Sequence, residues 1–131
     1  MRGYEIGTFL LRLILGITFF VHGLSKFQGG IENTVGFFSS VGIPGVMAYI
    51  VAIIELVGGA AMILGFATRT VAVLFVIIML GAIFTVKIGS GFMGGYELDV
   101  VLLVIALHHV FTGSGAFALD RSLKKDEYYS A

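Results

Sequence analysis

A few ionisable residues stand inside or at the edges of otherwise apolar runs, and their types point to proton handling. His22 and Lys26 are one helical turn apart, with Phe19 on the same face. Glu97 lies in an early turn of the last apolar run, where a helix dipole favours negative charge, and Lys87 closes the run before it. An imidazole, a carboxylate and amines gathered at one end of a bundle can hold or move a proton, or bind an anionic or phenolic oxygen. His22, Lys26 and Glu97 are therefore the candidate catalytic set, with Lys87 as a secondary candidate. Taken alone, the two lysines read better as charges that mark helix ends.

Arg12 and Glu55 lie deeper. Glu55 interrupts Pro44–Gly65, PGVMAYIVAIIELVGGAAMILG, on a face built from the small residues Ala48, Ala52 and Gly59. A charged carboxylate at bilayer depth costs about 2.5 kcal/mol or more, so it is expected to face partners inside a bundle. Arg12 sits at a depth from which an extended side chain could reach it, and the two form the expected buried polar pair. That pair either pins two helices together or serves a working site; alternatively, Arg12 reaches back to the membrane surface.

Glu97, Val101, Val104 and His108 share one helical face, so His108 faces the bundle if Glu97 does, and it is a further secondary candidate. His109 points about 100° away, toward solvent or the dipole of the helix C-terminus. Asp99 is expected to be a solvated interfacial charge. No metal site is expected, because the chain has no cysteine and no histidine pair at helical spacing. GSGFMGG lacks the lysine and hydroxyl of a phosphate loop and reads as a turn.

The elements that must carry these residues are long and apolar. Of 131 residues, 58% are hydrophobic and 12% charged, at a mean hydropathy of +1.05. A soluble domain carries about 25% charged residues, so this is a membrane protein. Four runs are long enough to cross a bilayer, at about 6–26, 44–65, 70–87 and 92–111. Their short links predict an all-α, up-down-up-down, four-helix transmembrane bundle in a single domain, 1–131. Between the first two runs, IENTVGFFSSV is too short to span and reads as an interfacial helix. Residues 112–131 read as a polar tail. The lysine and arginine distribution places both termini in the cytoplasm. Zero net charge without a basic stripe argues against nucleic acid as a partner.

The pieces LLRLILGITFFVHGLSKF, GIP, IELVGGAAMILG, ATR, GYE and a closing LD occur in this order from about Leu10 to Asp120. In that order the chain resembles the DoxX family of small four-span membrane proteins. The resemblance carries over Arg12, His22, Gly23, Lys26, Glu55, Gly59 and Glu97 as family-pattern positions. Lys87 departs from it, because many relatives have a histidine near the end of span three. The HGLSKFQGG form is most similar to a bacterial branch described as oxidoreductases and linked with catechol and hydroquinone tolerance. The resemblance thus implies a multi-pass protein of the bacterial cytoplasmic membrane that acts on quinones or catechols, or protects against them.

No motif indicates a cofactor: there is no dinucleotide-binding glycine pattern, no cysteine for an iron–sulfur cluster and no persuasive pair of haem ligands. Electrons would have to come from a partner or from a cofactor bound without a recognisable motif. Two other classes of function fit the same residues. One is a non-enzymatic membrane adaptor that recruits a soluble redox or detoxifying enzyme. The other is a small transporter, with Arg12 and Glu55 on its path and a homo-oligomer as its working form.

Overall fold

The computed structural model describes residues 2–122, leaving the side chains of residues 86–88 outside the description. The chain forms α1 (Gly3–Gln28), α2 (Ile31–Ser40), α3 (Val46–Leu64), α4 (Thr68–Ala82) and α5 (Glu97–Thr112). Four segments are long and apolar enough to cross a membrane: Gly3–Gln28, Val46–Leu64, Thr68–Thr85 and Phe92–Thr112. Their number is the four expected, and the short α2, none of whose residues is buried, lies between the first two. Leu10, Ile14, Ile17, Val21, Ile53, Val57, Ile77, Val101 and Val104 point outward, as a lipid-solvated bundle requires.

The bundle has two ends. The proximal end carries the starts of α1 and α4 and the ends of α3 and α5; the distal end carries the opposite termini of these four helices. α1 lies along α3, and α4 along α5. Small residues set the first of these contacts. A Cβ on Gly59 would fall 2.5 Å from the backbone nitrogen of Phe20, and one on Gly23 would fall 2.6 Å from that of Leu56. The backbones touch because neither glycine carries a side chain, which is how small residues drive helix association where lipid removes the hydrophobic drive. The two pairs meet through Leu15, Phe19, Met62, Val71, Ala72, Phe75, Met79, Leu102 and Ala106. The rings of Phe19 and Phe75 stack at 3.8 Å between centroids, 6° from parallel.

Past α4 the helix widens into a π-helical segment, Ile83–Lys87, and a short 3₁₀ turn, Ile88–Ser90, follows. A second π-type segment, Phe92–Tyr96, is interrupted at Met93 and at Gly94, whose φ is +70°. Beyond α5 the chain does not leave the bundle as a polar tail. Residues 113–122 fold back across the proximal end, burying Ser114, Ala116 and Ala118. The expected tail from residue 123 onward lies outside the described residues.

Candidate functional site

Glu55 is buried, and its partner is Lys26: the ammonium donates to Oε1 in a close ion pair across the α1–α3 seam. The carboxylate side chain is 4% exposed and the lysine side chain 25%, so the pair is dry on the acid's side and wetter on the amine's. Glycine contacts at Gly23 and Gly59 bring the two helices close enough for this contact. Helical side chains lean toward the N-terminus of their own helix. Lys26 therefore reaches back down α1 toward Glu55. A carboxylate and an ammonium in contact, away from bulk water, can exchange a proton with each other or with an oxygen-bearing molecule that displaces one of them.

The expected Arg12–Glu55 pair is not formed. Arg12 is fully buried, but its side chain leans toward the proximal end, away from Glu55. Its Nη1 donates to the carbonyl oxygens of Ser114, at 2.6 Å, and Ala116, at 2.9 Å. Nη2 donates to the carbonyl of Phe117 at 3.1 Å, and the guanidinium carbon lies 5.1 Å from the centre of the Phe9 ring. Arg12 is thus a clamp on the returning C-terminal segment. Phe117 has a φ of +54°, an unfavourable conformation for an aromatic residue, and its carbonyl is one of those the clamp holds.

Asp120 locks the same segment from its other end. Its carboxylate accepts the backbone N–H groups of Ala67, at 2.7 Å, and Thr68, at 2.9 Å, which are unpaired donors at the start of α4. The Ser114 hydroxyl contacts both Asp120 Oδ2, at 2.8 Å, and Thr68 Oγ1, at 2.9 Å. Burial pushes the Asp120 carboxyl up, but the hydrogen bonds from Thr68, Ser114 and Ala67 outweigh this and hold it below the ordinary carboxylate value.

The other expected site residues are distributed differently. His22 and Glu97 are exposed. Glu97 Oε1 accepts the Gly94 N–H at 3.4 Å, closing the turn before its own helix. His108 is half-buried, with Nε2 2.9 Å from Thr8 Oγ1. His109, expected at the helix end or in solvent, is fully buried, with Nδ1 2.9 Å from the Ile105 carbonyl and Nε2 3.2 Å from the Thr8 carbonyl. Asp99 is 5% exposed, and so is not the solvated charge expected. The Lys87 side chain lies outside the described residues. Sequence reasoning missed Thr8, Thr68 and Ser114 as polar members of the proximal end. Ser114 lies in the TGSG that closes the last apolar run, and only the fold shows that this turn is buried.

With this geometry established, comparison with known proteins identifies the family. The model of the DoxX family matches residues 7–88. The chain belongs to the DoxX family. Among its relatives is the protein named "Putative oxidoreductase CatD" of Bacillus subtilis (strain 168), 55% identical over 91% of this chain and 88% of the relative. "Inner membrane protein YqjF" of Escherichia coli (strain K12) is 29% identical over 92% of this chain and 95% of the relative. "Uncharacterized membrane protein Rv3486" of Mycobacterium tuberculosis (strain ATCC 25618 / H37Rv) is 32% identical over 88% and 80%. No solved structure matches the chain significantly. As a DoxX protein the chain is a multi-pass membrane protein, and Arg12, Gly16, Gly23, Lys26, Glu55 and Gly59 all fall within the matched region.

Proposed function

We propose that this DoxX protein is a membrane redox component that exchanges protons with a small quinone- or catechol-type molecule at the Lys26–Glu55 pair. The observation that carries the reading is the contact between a buried carboxylate and a partly exposed ammonium, supported by backbones that meet at glycine. Quinone oxygens take up protons on reduction, and catechol oxygens release them on oxidation. Lys26 donates to such an oxygen or accepts from it, and Glu55 holds the compensating charge or proton. His22, one turn before Lys26, and Glu97 extend the site as exchange points with water. Electrons come from a partner enzyme or an associated cofactor. The name of the Bacillus subtilis relative supports the redox class. The protein works in the bacterial cytoplasmic membrane with both termini in the cytoplasm.

The test is growth in catechol or hydroquinone of a deletion strain complemented at matched membrane levels. Lys26→Met and Glu55→Gln lose protection, His22→Phe and Glu97→Gln lose part of it, and Asn33→Ala keeps it. Full protection by both Lys26→Met and Glu55→Gln removes this site from the chemistry. The reading as an adaptor, which needs no proton exchange, would then take its place.

A further inference from the structure

Two open grooves meet at the proximal end, and both are lined by Arg121. The first, of about 580 Å³, has Ile63, Leu64, Phe117 and Leu119 among its walls. Leu64, Phe117 and Leu119 are 56%, 70% and 44% exposed, an apolar surface directed outward from the bundle. The second, of about 550 Å³, lies between the starts of α1 and α4 and the segment after α5, and is lined by Arg69 as well as Arg121. An apolar groove thus continues into a polar one, with a guanidinium at the boundary.

The charges in the polar groove are unevenly satisfied. The Asp120 oxygens are taken up by α4 and Ser114. Glu5 faces Arg121 at 3.5 Å, with the arginine side chain 52% exposed. An exposed ion pair of this kind contributes little, so Arg121 can exchange Glu5 for another anion at small cost. Arg69 is exposed and has no carboxylate within ion-pair distance among the described residues; its Nη2 donates to the Phe111 carbonyl, at 3.5 Å. Both arginines stand where the spans end, at the depth of lipid headgroups.

From this juxtaposition we infer a binding site for an anionic phospholipid, with its phosphate between Arg69 and Arg121 and an acyl chain along Leu64, Phe117 and Leu119. Arginine forks match phosphate oxygens in pairs, and basic sites beside membrane helices attract anionic headgroups. The site is separate from Lys26–Glu55, which lies toward the distal end. A lipid seated here lies against the segment clamped by Arg12 and Asp120, and so adds its own contacts to that closure.

The test uses the full chain in neutral detergent and native mass spectrometry with phosphatidylglycerol or phosphatidylcholine carrying identical acyl chains. Phosphatidylglycerol should bind about tenfold or more tightly, because its headgroup leaves the phosphate charge uncompensated beside the two arginines, whereas the choline ammonium of the other lipid offsets it. Arg69→Gln with Arg121→Gln should reduce it to the level of phosphatidylcholine. Arg69→Lys with Arg121→Lys should retain part of the preference, and circular dichroism should show all variants helical. Equal binding of the two lipids by the parent overturns the inference, as does a preference that survives the double glutamine variant. Competition by millimolar inorganic phosphate as effective as that by lipid replaces the lipid site with a free-anion site.

Discussion

Lys26 and Glu55 meet across the seam between α1 and α3, with the carboxylate almost fully enclosed and the ammonium a quarter exposed. This asymmetry predicts unequal costs. Lys26→Met strands a buried carboxylate and should destabilise by about 3 kcal/mol, the low end for a broken buried pair. Glu55→Gln leaves an amine that can swing toward water and should cost less. The double variant should cost less than the sum, because the two residues share one interaction. Unfolding in detergent, followed by far-ultraviolet circular dichroism, measures all three. Strict additivity would show that the pair is not coupled in the membrane protein.

Arg12 satisfies three carbonyl oxygens of the returning segment at once. Arg12→Met should destabilise by about 3 kcal/mol, since hydrogen bonds to a charged donor are among the stronger ones and their buried acceptors would be stranded. Arg12→Lys keeps the charge but loses the planar fork, and should recover only part of this. Hydrogen exchange reads the effect locally: the amides of residues 113–120 should exchange faster in Arg12→Met, whereas those of central α3 should change little. Unchanged exchange in the segment would mean that Arg12 is not what holds it.

Asp120 predicts a pH dependence with a definite sign. Its folded carboxyl is held below the ordinary value of 3.8. A carboxyl depressed by folding contributes stability that is fully present above the unfolded value and is lost as pH falls through the folded one. The stability difference between the parent and Asp120→Asn should therefore be largest near neutral pH and shrink below pH 3.8. Thermal melts from neutral to strongly acidic pH measure that difference. A gap that does not narrow in acid would exclude the ionised cap on α4.

The proposed orientation, with both termini in the cytoplasm, predicts opposite labelling of the two ends. Single cysteines at Ser122 and at Asn33, in a chain that has no cysteine of its own, should react from opposite sides of an intact cell. Asn33 should be labelled by a membrane-impermeant reagent added outside, and Ser122 only after permeabilisation. Labelling of Ser122 from outside reverses the orientation.

Composition and run length alone determined that the chain is a helical membrane bundle with four spans and a short helix between the first two. Hydrocarbon leaves a spanning chain few alternatives to the helix, so the apolar period carries most of the fold. The small-residue face of α3 was equally legible: Ala48, Ala52, Glu55 and Gly59 are all buried, as their spacing predicts. What the sequence could not decide was which charge meets Glu55. Counting residues gives depth along a helix, but not the direction in which a long side chain leans. Arg12 leans to the proximal end and Lys26 leans back into the seam, so Glu55 takes the partner that sequence reasoning had placed at the surface. The proximal closure was hidden for a related reason. Ser114 and Asp120 lie in a glycine-containing stretch with no periodic pattern, and their roles depend on the unpaired backbone donors of α4 and on Arg12, far away in sequence. Hydrogen-bond partners so far apart leave no local signal, and only the tertiary fold brings them together.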